Sequence, residues 1–299
     1  MTLATMNYAR KVGTSASGPS TLQHEFLRCT VAKQAAHVLS DGITGVRGRQ
    51  SETVVDGTYT VGGELAVEPR PDTLNWWLQQ ILGGTPTGTP AVVALAEVLP
   101  TFTLDVDKGA KAMRYAACKV NTATFRSSAG QPLQLSMDIQ GTTEDSTITF
   151  PSISGTLSLL QPYMHHNIGL TGLTIGGTNF KADNVEVSID NHLMLDRFFS
   201  SQTRIDMPEQ DRTVTLNCDF PFTSDEVATL YDIGVAGLAG TLRYTAGGYS
   251  LLWTFAKLQA PTVGPVIDQR TGEVLKRISF VARRLASADE VTATNDATP

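Results

Sequence analysis

Two short runs decide the fold: "NVEVSID" at Asn184–Asp190 and "TVTLNCDF" at Thr213–Phe220. In the first, Val185, Val187 and Ile189 alternate with Glu186, Ser188 and Asp190; in the second, Val214, Leu216, Cys218 and Phe220 alternate with Thr215, Asn217 and Asp219. Successive side chains on a strand point to opposite faces, so each run is a strand with one apolar row and one wet row. Such alternation belongs to antiparallel sheets solvated on one side. The wet rows are acidic, and a long charged connection, 192–211, joins the two strands.

Working outward, Val120–Phe125, a turn at Ala129-Gly130 and Pro132–Gln140 form a second hairpin. There Leu133, Leu135, Met137 and Ile139 oppose Gln134, Ser136 and Asp138. Joined edge to edge, the two hairpins place Asp138, Glu186, Asp190 and Asp219 on one solvated face. Further strands are predicted at Leu22–Val31, Thr58–Val67, Thr101–Val106, Met113–Ser127, Thr156–Gln161, Leu170–Ile175 and Val274–Leu285. A hairpin of Thr241–Tyr244 with Ser250–Leu258 turns at Gly247-Gly248. Gly62-Gly63 inside a strand signals a bulge or a close backbone approach.

A short helix is expected over Arg70–Leu82, capped by Asp72 and ended by Gly83-Gly84. Leu74, Trp77, Leu78 and Ile81 fall on one face of it, and Trp76 sits off that face as edge or core packing. Thr223-Ser224-Asp225-Glu226 reads as a capping box opening a second helix that ends near Gly234. The fold class is therefore mainly β: an antiparallel β-sandwich or partial barrel with one or two short flanking α-helices and long extended arms and loops. Residues 1–20 read as an extended arm, 21–285 as a single β-sandwich domain, and 286–299 as a polar C-terminal tail.

With 41% hydrophobic and 17% charged residues in 299, the chain can bury a sizeable core. The formal net charge of -6 argues against a dedicated nucleic-acid binder. Charge is segregated, with basic ends flanking an acidic middle at 183–219. Opposite charges so placed suit self-association, or simply mark solvated faces. Cys29, Cys118 and Cys218 lie far apart, with no metal-type spacing, and read as reduced thiols. His165-His166 and His192 lack the spacing of a zinc site, so no metal and no cofactor is expected. No GxSxG elbow or Cys–His spacing marks a nucleophile, and exposed strand acids such as Asp105 and Asp107 give no sign of the desolvation a glycosidase needs. The chain is not expected to be an enzyme. No signal-like run opens it, and no stretch approaches a membrane span.

The order of features resembles the tail tube proteins of long-tailed bacteriophages. The resemblance is carried by the glycine hairpin leading into "GELAVEPRPDTLNWWLQQILGG" (Gly63–Gly84), by "NVEVSIDNHLM" (Asn184–Met194), and by the strand into "DFPFTSDEV" (Asp219–Val227). It implies a structural protein of the virion tail, assembled in the host cytoplasm. Hexameric rings would stack helically into a hollow tube, each subunit lending strands to an inner barrel. Implied partners are other copies of the chain, tail terminator, baseplate or tail-tip proteins and a tape measure protein. Genomic DNA would pass through without specific binding. On this reading Asp138, Glu186, Asp190 and Asp219 line the channel. Arg47, Arg49, Arg197, Arg204 and Arg212 lie between subunits, and the arm 1–20, the loop 41–57 and the connection 192–211 carry ring-to-ring contacts. The competing reading is a carbohydrate- or receptor-binding β-sandwich module, for which Trp76, Tyr163 and Tyr249 are the exposed aromatic candidates.

Overall fold

The structure, a computed structural model, describes residues 11–39, 54–153, 160–221, 230, 233–260 and 275–298. Its strands are β1 (Lys11–Ser15), β2 (Leu22–His24), β3 (Arg28–Cys29), β4 (Ala32–Leu39), β5 (Val54–Val67), β6 (Ala91–Val93), β7 (Phe102–Asp107), β8 (Ala112–Ser128), β9 (Gln134–Gly141) and β10 (Thr143–Asp145). They continue with β11 (Leu173–Ile175), β12 (Thr178–Asn179), β13 (Asn184–Asp190), β14 (Thr213–Pro221), β15 (Leu238–Ala246), β16 (Tyr249–Gln259), β17 (Leu275–Ala282) and β18 (Val291–Asp296). One α-helix, α1 (Pro71–Leu82), and a 3-10 turn at His165–Ile168 complete the described elements. The fold is mainly β and antiparallel, as the alternating runs require.

The two hairpins do join edge to edge. β8 pairs with β9 on one side and with β13 on the other, while β5 extends the sheet beyond β9 and β17 extends it beyond β14. Registers align a dry row across six strands: Val67, Leu135, Phe125, Val187, Leu216 and Phe280, all buried. A second sheet, ordered β12–β11–β15–β16–β18–β6, packs against this row. Phe125 meets Trp253 edge-on at 4.9 Å between the two sheets. A smaller sheet, β2–β1–β7–β8–β10, shares the first half of β8. Ala117 at φ 47° and bulges on both flanks redirect β8 from the small sheet into the large one. Hydrophobic residues of all three sheets merge into one cluster.

Helix α1 seats Leu74, Trp77, Leu78 and Ile81 fully in that cluster, as their spacing predicts. Gly83 ends it in the left-handed region at φ 87°. Its start differs from the expectation: Arg70 occupies the cap position without a side-chain bond, and Asp72 lies in the first turn. There its carboxylate acts on the helix dipole only. Trp76 is half-buried, edge-on to Trp77 at 4.6 Å and to Phe102 at 5.4 Å. Gly63, at φ 152°, lies against the β3–β4 junction; a Cβ there would sit 2.7 Å from the Thr30 carbonyl oxygen. This is the close backbone approach that the double glycine signals.

The ends of the chain depart from the sequence reading. The segment 286–299, expected as a polar tail, contains β18, an interior strand between β16 and β6. Val291 and Ala293 are buried, and Asn295 donates to the Pro71 carbonyl at 2.7 Å, tying the strand to α1. Small alternating residues carry little hydrophobic signal, and the partners lie far upstream. Likewise, the second half of the expected arm is β1, whose Val12 and Thr14 are buried between β2 and β7. Leu22–Val31 is not one strand but two short ones, β2 and β3. The first part of the arm (1–10), most of the loop 41–57, the strand at 156–161 and the capping box at 223–226 fall outside the described residues, apart from Leu160 and the β5 residues 54–57.

Candidate functional site

The reverse side of the dry row is a continuous polar face. Its cross-strand rows run Glu64–Asp138–Thr122–Asp190–Thr213, then Ala66–Ser136–Thr124–Ser188–Thr215, then Gln134–Arg126–Glu186–Asn217–Ser279 and Ser128–Asn184–Asp219–Arg277. All four predicted acids, Asp138, Glu186, Asp190 and Asp219, lie here on one face and are half-buried. Glu64 is a fifth that sequence reasoning passed over. Its period-two placement in β5 was the available signal, masked by the adjoining glycines.

Neutral donors hold these carboxylates down. Asp138 accepts from Asn121 at 2.9 Å and Gln140 at 2.8 Å. Asp219 accepts from its cross-strand neighbour Asn184 at 2.9 Å, and Glu186 from its own neighbour Asn217 at 2.9 Å. Thus β13 and β14 exchange amide and carboxylate in opposite senses along adjacent pairs. Asp190 accepts from the His192 backbone N–H at 2.9 Å. Arg277 reaches Glu186 at 3.5 Å. Glu64 is bound by Arg28 and by the Ser136 hydroxyl at 2.6 Å. Those hydrogen bonds, Arg28's first, hold its carboxyl below the usual range. An amide fixes a carboxylate without cancelling its charge, so the face stays acidic while its side chains lie ordered.

One end of this face is crossed by the connection 191–212. Arg204, expected between subunits, is folded into its own chain instead: it is buried and donates to the Leu195 carbonyl at 2.8 Å and to Gln140 Oε1 at 2.9 Å. Burial lowers its pKa, partly opposed by Asp138. Lys119, whose register carries it to the same end, is buried and donates to Glu209 at 2.8 Å and to the Met207 carbonyl at 3.0 Å. The connection is therefore a strap, pinned by two buried cations. Arg197 stays local, pairing with Asp206 at 3.3 Å and lying over Phe199 at 5.0 Å. Arg212 donates to the Ala96 carbonyl at 3.1 Å and lines a cleft of about 480 Å³ with Arg283, Arg284, Glu97, Asp289 and Glu290. Arg47 and Arg49 lie outside the described residues.

The remaining reactive groups are structural. Ser127 Oγ contacts His165 Nδ1 at 3.0 Å and the Tyr244 hydroxyl at 2.9 Å, but Ser127 is buried, and His165 Nε2 meets the Ala182 carbonyl rather than a carboxylate. Burial pushes the Cys118 and Cys218 thiols upward, away from the reactive thiolate. Among the described residues, no group of three His, Cys, Asp or Glu side chains could hold a metal, and no helix is long and apolar enough to cross a membrane. Of the aromatics a sugar-binding platform would need, Tyr163 is buried with its hydroxyl 3.3 Å from Asn295 Oδ1. Trp76 belongs to the cluster around α1, and Tyr249 is half-buried.

None of the curated protein sequences compared with the chain matches it. A family model described as phage tail tube protein matches residues 4–273, nearly the whole chain. The chain belongs to the phage tail tube protein family, and its role is that of a structural component of the virion tail.

Proposed function

We propose that six copies of this chain form a ring, that rings stack helically into a hollow tube, and that the polar face of β5, β9, β8, β13, β14 and β17 lines the channel through which DNA leaves the capsid. What supports this reading is a complete polar face, set with pinned carboxylates, on the back of an otherwise dry sheet. Asp138, Glu186, Asp190 and Asp219 would repel the phosphate backbone, whereas a basic wall would bind it by releasing counterions. The role is structural rather than enzymatic. The partners are further copies, terminator and baseplate or tail-tip proteins at the ends, and a tape measure protein within.

Ring-to-ring contacts are assigned to the loop 41–57, the strap and residues 1–10. The distal halves of β4 and β5 form a two-stranded ribbon with Val38, Val54 and Val55 exposed, and Phe199 and Ile205 of the strap are exposed as well. Two strands alone are marginally stable in water, so a ribbon of this kind calls for a partner surface. Negative-stain microscopy of purified protein tests the assembly: rings of one diameter and tubes are expected, and discrete small particles would refute it. In an image reconstruction of the tube, finding the four acids between subunits would overturn the channel assignment. Long tubes from a chain lacking 41–57 would overturn the assignment of that loop.

A further inference from the structure

The polar face also carries cations, and they are not equivalent. Arg28 is bonded to Glu64, and Arg277 to Glu186. Lys119 is buried with Glu209 under the strap. Arg126 stands apart. It is exposed at mid-face on β8, and among the described residues it has no hydrogen bond or ion pair. Its cross-strand neighbours are Gln134 on β9 and Glu186 on β13. Glu186 is already engaged by Asn217 and Arg277, while Asp138 and Asp219 are held by Asn121, Gln140 and Asn184. Gln134 beside it is exposed and uncharged.

We infer that Arg126 is the point at which each subunit touches the phosphodiester backbone of the nucleic acid in the channel. The inference rests on the channel reading above and adds to it a ligand class and a residue. A guanidinium offers a planar fork of donors that matches a phosphate oxygen pair, and it stays charged at any working pH. The pinned carboxylates around it keep their negative sign and repel the same backbone. The contact is therefore weak, independent of sequence and repeated once per subunit. It centres the duplex rather than holding it.

The test uses assembled tubes and a short fluorescent DNA duplex, counting only duplex protected from added nuclease. Wild type, Arg126→Gln and Arg126→Lys are compared at 50 and 300 mM salt. Losing one phosphate contact removes about 0.9 from the log–log salt slope, or about fivefold over that range. The expected result is protected duplex about fivefold lower in Arg126→Gln tubes at low salt, an intermediate value with Lys, and convergence at high salt. Equal protection in wild-type and Gln tubes of the same length, including none in either, would overturn the inference while leaving the tube intact. Failure of the wild-type chain to form tubes would overturn both the channel reading and this one.

Discussion

His24 couples stability to pH in a way that can be worked out from its surroundings. The ring is buried between β1 and α1. It bonds Thr14 Oγ1 through Nε2 at 2.7 Å and lies 4.6 Å from Trp77 and 5.4 Å from Trp76. Its Nδ1 has no partner. Glu25, Glu68 and Arg70 line the small cavity beside it, with Glu25 and Arg70 bonded to each other. Burial lowers its pKa from 6.5 to about 4, so the folded state favours the neutral ring. Between those values the unfolded chain binds the proton and the folded chain does not, and stability falls as pH is lowered. The full difference is about 3 kcal/mol, reached near pH 4, with no contribution above pH 7. For a chain of this length that is roughly 5 °C in melting temperature. The assay is chemical denaturation of dispersed subunits from pH 7.5 to 4, comparing wild type with His24→Gln and His24→Phe. Other titrating groups cancel in the difference. The variants are expected to be less stable at pH 7 and to close the gap by about 3 kcal/mol at pH 4. Curves that stay parallel for both variants would refute the assignment.

Two further substitutions probe the frame that presents the polar face. In Gly63→Ala, the new Cβ would lie within 2.8 Å of the Thr30 carbonyl and the Val31 Cα, backbone atoms that cannot swing aside. A loss of about 3 kcal/mol is expected, whereas in Gly62→Ala the new Cβ meets only the mobile end of Gln140 and costs less. Equal melting of the two variants would contradict this. A chain stopped after Glu290 loses β18 and uncovers β16 and β6, so it should be insoluble or open to proteolysis; a soluble product with native circular dichroism would contradict the pairing described.

Alternation at Asn184–Asp190, Thr213–Phe220 and Pro132–Gln140 was enough to fix strand type, the dry and wet sides, and the shared side of the four acids. A period of two leaves no freedom once one row must be buried. The helix face of α1 was legible for the same reason, through its 3.6-residue repeat. The strand β18, the burial of Arg204 and the pairing of Lys119 with Glu209 were not, because each depends on a partner far away in sequence. The amide clamps on Asp138, Glu186 and Asp219 belong to the same class, since only register says which amide meets which carboxylate. Local periodicity is written in the sequence; which edges meet, and which charges the strap covers, is decided when distant segments compete for the same buried surface.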